Sequence, residues 1–146
     1  MLVDRRFWDD ALLFKLIYDQ ALDPVSRKVG LNRMELNLLL FLANNPEYDT
    51  ASDAIRLRQW TKSHVSAAVR SLTERGFICA QFRSGNRKTV HLSPTPVAEE
   101  AIRLGQAAQE SFSKSVLMDF TEEDRRELER LFTKIAFNIR KSIRTR

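Results

Sequence analysis

The chain has 146 residues, 43% of them apolar and 29% charged, which fits one soluble globular domain and is short for an enzyme with a separate substrate domain. No run of about eighteen apolar residues offers a membrane span, and Asp4, Arg5 and Arg6 interrupt the start before a signal sequence could form, so a cytoplasmic protein with no membrane partner is expected. A single cysteine, Cys79, excludes an intrachain disulfide and a cysteine zinc cluster, and the net charge of +5 becomes informative only if it is concentrated.

From Phe7 to Leu22 the residues Phe7, Ala11, Phe14 and Tyr18 make one helical stripe, while Trp8, Leu12, Leu13, Leu16 and Ile17 cover further faces. A helix so widely apolar should be buried on more than one side. Asp23 and Pro24 are expected to stop it, with Gly30 closing the following loop. The next helix should open at Asn32 with Glu35 in the capping-box position, run through Met34, Leu38, Phe41 and Leu42, and end at Asn44, Asn45 and Pro46.

A short helix follows, opened by Thr50 with Asp53 three residues on, and Ala54, Ile55 and Leu57 are expected to face inward. After a turn at Gln59 and Trp60 comes "TKSHVSAAVRSLTERGF", with Thr61 as N-cap and Gly76 as the stop. Two short helices joined by a tight turn form a helix-turn-helix candidate. The spacing then changes from helical to alternating, with Ile78, Ala80 and Phe82 sharing one side and Val90 and Leu92 sharing one side. Gly85 and Asn86 between the two runs supply the turn of a basic-tipped hairpin. That order predicts a winged helix, mainly α with a small β-hairpin wing.

From Thr95 and Pro96 a further helix carries Val97, Ala101, Leu104, Ala108, Phe112 and Val116, and the last helix places Leu128, Leu131, Phe132, Ile135, Ile139 and Ile143 on one face. These two helices and the first have more apolar surface than a winged helix of this size needs. A second copy of the chain is the natural place to bury it, so a homodimer is expected.

The charge is concentrated. Between Ala54 and Ser93 stand Arg56, Arg58, Lys62, Arg70, Arg75, Arg83, Arg87 and Lys88 against the single acid Glu74, so this segment carries +7 and the remainder −2. A second basic cluster, Arg140, Lys141, Arg144 and Arg146, reads as solvated helix-end charge. With Val65, Val69 and Leu72 inward, Ser63, Ala67 and Arg70 take the opposite face, flanked by His64 and Ser66. Small residues let a helix backbone approach base edges in a major groove, and Arg70 is the long donor that reaches a guanine. Thr61, Lys62 and the free N–H groups of the first turn suit a phosphate. Arg87, Lys88 and Arg83 would reach a minor groove or flanking phosphates from the wing. The plain alternative is a solvated polar face.

"TKSHVSAAVRS" followed by "LTERGFI" resembles the recognition helix and wing entry of MarR-type transcriptional regulators, and the resemblance runs from about Asn32 to the carboxyl end. It implies one domain over residues 1–146, with a DNA-binding lobe at 32–93 and helical dimerisation regions at 1–30 and 94–146. It also implies a homodimeric repressor that binds a pseudo-palindromic operator and is released by a small, commonly phenolic effector or by cysteine oxidation. Such ligands lie between the dimerisation helices and the DNA-binding lobe, which points to Trp8, Phe14, Tyr18 and Phe41 as lining residues, although an aromatic stripe at helical spacing also reads as core. The wing departs from the family's Asp-x-Arg tip and Leu-Thr strand end. Here Asn86 stands near the acid position and Leu92-Ser93 at the end, which puts the carboxylate brace of Arg87 in question.

Cys79, with no neighbouring His or Lys, reads as an inert thiol, and His64 and His91 lack metal-ligand spacing. Without a phosphate loop or a nucleophile motif, a non-catalytic protein with no cofactor is expected. A protein-binding adaptor or antirepressor and a small-molecule carrier remain alternatives.

Overall fold

The computed structural model describes residues 5–144, with side-chain environments through residue 142. Residues 1–4, Thr145, Arg146 and the side chains of Ile143 and Arg144 lie outside that description. The chain divides into two compact units, one up to Phe112 and one from Ser113 onward.

The first unit begins with α1 (Arg5–Val29), which runs straight past the expected stop because Pro24 lies inside the helix. Proline removes one helical hydrogen bond. The helix continues because Leu22 and Val25, on either side, are buried in the core, and Asp19 and Asp23 both pair with Arg33 of the next helix. The actual terminator is Gly30, whose φ of +68° lets Leu31 N–H donate back to the Ser26 carbonyl at 3.1 Å.

The second helix, α2 (Arg33–Asn44), is capped as its sequence demands. Asn32 Oδ1 accepts from Glu35 N–H at 2.8 Å, and Glu35 Oε2 accepts from Asn32 N–H at 2.9 Å. Its Leu36 and Leu38 to Leu42 are buried and form the centre of the core, joined by Leu72, Ile78, Leu92, Ala98 and Ala101. Gly105 seats against this helix so closely that a Cβ there would lie 2.7 Å from a Leu40 methyl carbon.

Two helices follow, α3 (Ala51–Arg58) and α4 (Lys62–Glu74), then the antiparallel hairpin of β1 (Ile78–Arg83) and β2 (Asn86–Pro94). Leu57, expected inward, is 42% exposed; only Ala54 of α3 is fully buried. A single 3-10 turn, Pro96–Ala98, leads into α5 (Glu99–Val116). Ala101 and Phe112 of its predicted stripe are buried, whereas Val97 and Val116 at the two ends are exposed.

In the second unit a turn with Asp119 in the left-handed region precedes α6 (Glu122–Arg144). Thr121 and Asp124 cap the helix reciprocally, with Thr121 N–H donating to Asp124 Oδ2 at 2.8 Å and Asp124 N–H to Thr121 Oγ1 at 3.1 Å. Among its described side chains none is buried, and Leu131, Phe132, Ile135, Phe137 and Ile139 are exposed. In the first unit the amino-terminal half of α1 is likewise bare: Phe7, Trp8, Leu12, Leu13, Phe14, Leu16 and Ile17 are exposed. The expectation that this helix is buried on several sides does not hold within a single chain.

Candidate nucleic-acid interface

The helix-turn-helix is fixed by polar bonds at each joint. Thr50 Oγ1 accepts from Asp53 N–H at 3.1 Å and donates to Asp53 Oδ2 at 2.8 Å, opening α3. Partial burial pushes the Asp53 carboxyl up, but hydrogen bonds from Thr50 and Arg56 outweigh it and hold the carboxyl below its ordinary value. The turn is made by Gln59 at φ +56°, whose side chain donates to the Arg56 carbonyl at 2.7 Å. Trp60 then packs edge-on to Phe41 with ring centroids 6.1 Å apart. Thr61 caps α4, its hydroxyl accepting from His64 N–H at 3.4 Å.

Along α4 the two faces separate cleanly. Val65, Ala68 and Leu72 are buried and Val69 is half-buried, while Thr61, Lys62, Ser63, His64, Ser66, Ala67 and Arg70 are all exposed. The first turn contains no acid, so its free N–H groups and the positive helix end meet solvent unopposed.

Gly76, at φ +77°, turns the chain into the wing. Ile78 pairs with Pro94, Ala80 with Leu92 and Phe82 with Val90, and a bulge between Phe82 and Arg83 precedes the Gly85 turn. The apolar residues share faces as their spacing required, but only Ile78 and Leu92 at the base are buried; Phe82 is 55% exposed. A two-stranded hairpin has no third layer to cover its outer half. At the tip, Asn86 Oδ1 accepts from Lys88 N–H at 2.9 Å, so Asn86 shapes the turn through its side chain.

The eight cations of this segment divide into two groups of four. Arg56 pairs with Asp53 at 3.0 Å, Arg75 with Glu35 at 3.5 Å and Arg83 with Asp49 at 3.0 Å, while the Arg58 guanidinium lies over the Phe41 ring at 5.5 Å. Lys62, Arg70, Arg87 and Lys88 have no ion pair and no aromatic partner among the described residues. No described carboxylate braces Arg87. Asp49, which reaches the wing from outside it, holds Arg83 instead, and also meets His91 Nδ1 at 2.8 Å. Nothing local in sequence signalled Asp49, because its partners lie 34 and 42 residues away. Cys79 is half-buried, its Sγ 3.1 Å from Ser93 Oγ across the hairpin.

A cleft of about 250 Å³ opens in the same unit, with Lys15, Tyr18, Phe41, Arg58, Trp60 and Gln109 among its lining. Gln109 Nε2 donates to the Tyr18 hydroxyl at 2.8 Å. Of the four expected lining aromatics, Tyr18 and Phe41 stand here. Trp8 and Phe14 do not: Trp8 is exposed and edge-on to Phe7, and Phe14 packs edge-on to Phe112 at 5.2 Å. Among the described residues no group of three His, Cys, Asp or Glu could hold a metal ion, and no helix is long and apolar enough to cross a membrane.

Residues 29–86 match the model of the MarR family. No curated protein sequence matches the chain. Among solved structures, a MarR-family transcriptional regulator of Listeria monocytogenes complexed with a 26mer DNA is similar at 19% identity and a TM-score of 0.81, over 95% of this chain and 90% of that one. The S. aureus MepR–DNA complex is similar at 16% identity and TM-score 0.70, over 91% and 93% of the two chains. Staphylococcus aureus MarR in complex with salicylate and kanamycin is similar at 14% identity and TM-score 0.75, over 94% and 92%. At these identities the likeness establishes a shared winged-helix fold.

Proposed function

We propose, from the match of residues 29–86 to the MarR family model and the winged-helix fold they belong to, that this chain is a non-catalytic, cytoplasmic DNA-binding transcriptional regulator that acts as a homodimeric, ligand-responsive repressor. The observation that carries this reading is the division of the cations. Lys62 and Arg70 on the exposed face of α4, and Arg87 and Lys88 at the wing tip, have no ion-pair or aromatic partner among the described residues. A phosphate backbone rewards such charges directly through counterion release. Arg70 is assigned to a base edge in the major groove, with Ser63, Ser66 and Ala67 short enough for close approach and His64 as a further donor. Thr61, Lys62 and the first-turn N–H groups are assigned to a phosphate, and Arg87 and Lys88 to the flanking minor groove.

Two bare apolar helix faces support the dimer: the amino-terminal half of α1 and, separately, α6. A second copy would cover them, with residues 1–30 and 94–146 serving dimerisation and 32–93 reading DNA. Two α4 helices would then enter major grooves roughly 10 bp apart on a pseudo-palindrome. The cleft supports ligand response. Its aromatic walls, Phe41 and Trp60, and its cations, Lys15 and Arg58, suit a small aromatic acid, because the carboxylate in the lining, Asp19, is paired with Arg33; Arg58 and Trp60 flank the turn that presents α4.

The test is a fluorescence-anisotropy titration against the duplex upstream of the gene and a scrambled duplex, at two salt concentrations. Preference for the upstream duplex that persists at the higher salt is expected. Equal binding that collapses with salt would reduce the function to backbone electrostatics, and no binding at either salt would favour a protein partner. Ile135→Glu on α6 should lower dimer stability and DNA affinity together; a monomer with full affinity would overturn the dimer.

A further inference from the structure

Asp49 sits in the loop between α2 and α3 and faces the wing, with its side chain largely withdrawn from solvent. Its two carboxylate oxygens divide between the two strands: Oδ2 accepts from Arg83 Nη2 of β1 at 3.0 Å, and Oδ1 meets His91 Nδ1 of β2 at 2.8 Å. Its backbone carbonyl accepts from Leu92 N–H at 2.8 Å. Thr95 ties the two ends of the wing together through the Gly76 and Phe77 carbonyls, but beyond that base little else among the described residues holds it. Ile78 and Leu92 are buried at its base, but residues 80–88 are all exposed. Asp49 also directly precedes Thr50, the cap of α3, so one residue joins the hairpin to the start of the helix-turn-helix.

We infer that Asp49 is the positioning residue of the wing: its carboxylate clamps both strands to the helix-turn-helix and so sets where Arg87 and Lys88 meet a duplex. The inference deepens the DNA-binding reading and rests on it. Arg83 thereby serves chiefly as an internal strut, which leaves the tip cations as the wing's free charge. Because the backbone bond to Leu92 does not depend on the side chain, replacing Asp49 removes the carboxylate clamp and keeps the loop-to-strand bridge.

The full-length protein would be compared with Asp49→Ala in two measurements. In the first, a duplex selected by the parent from a random pool is offered whole and then trimmed of the segments that flank the two major-groove half-sites. Asp49→Ala should bind the whole duplex about tenfold more weakly and the trimmed one as the parent does, because only the wing reaches the flanks. In the second, amide hydrogen exchange of the free protein should speed up about tenfold across residues 79–93 while the α4 amides keep their protection. After Asp49→Ala, adding His91→Ala should speed wing exchange no further. Should Asp49→Ala fail to fold, Arg83→Gln and His91→Gln remove the two bonds singly, and each should show part of the exchange effect. Unchanged wing exchange, or equal losses on both duplexes, would overturn the inference. A parent that selects no duplex would overturn the DNA reading instead, and the exchange measurement would still decide whether Asp49 holds the wing.

Discussion

Helix α4 and the wing present the same kind of charge, yet they are held in place by opposite means. The helix has an inner face, and Val65 and Leu72 on it are completely buried. The wing has no inner face beyond its base, so Phe82 and Val90 stay exposed and a carboxylate from another loop holds the strands. A helix at spacing 3.6 can bury one stripe while presenting another. A lone two-stranded hairpin cannot gain rigidity from burial, so its orientation depends on polar contacts at a few points.

The most severe test of this contrast is truncation on each side. Leu72→Ala should destabilise the protein by roughly 2–5 kcal/mol in denaturant unfolding. Phe82→Ala should fall within about 0.5 kcal/mol of the parent; a loss as large as that of Leu72→Ala would mean that the wing is packed after all. A smaller effect separates the two elements on DNA. Arg70→Ala should cost roughly 1–3 kcal/mol against the selected duplex and relax preference at one base pair, read by titration against single-base variants. If it binds every variant as the parent does, α4 is not the reading element. The smallest effect belongs to the wing tip. Lys88→Ala should weaken all duplexes alike and reduce the slope of log affinity against log salt by roughly 1. A change confined to one sequence would give the wing a reading role and dissolve the contrast.

Much of the fold was legible because it rests on local bonds. The caps at Asn32, Thr50 and Thr61 join groups three residues apart, and each formed as its sequence indicated. The stop at Pro24 was misplaced because a local penalty was outweighed by the burial of Leu22 and Val25 and by Arg33 pairing with Asp19 and Asp23. In the candidate site, the exposure of Ser63, Ser66, Ala67 and Arg70 followed from helical spacing alone. Of the four aromatics expected to share a pocket, Tyr18 and Phe41 line the cleft beside α2, but stripe spacing could not reveal that Phe14 is taken up by Phe112.

The sequence by itself determined the order of elements, the caps, the two faces of α4 and the concentration of eight cations between Ala54 and Ser93, because each depends on neighbours within a turn or on simple counting. Only the tertiary structure decided which cations are free. Arg56 is matched by Asp53 within its own helix, but Arg58, Arg75 and Arg83 are matched by Phe41, Glu35 and Asp49, brought from distant positions as α2 and the loop after it fold against the helix-turn-helix and wing. A charge's availability depends on what lies within a few ångströms of it, and that distance is set by the packed chain.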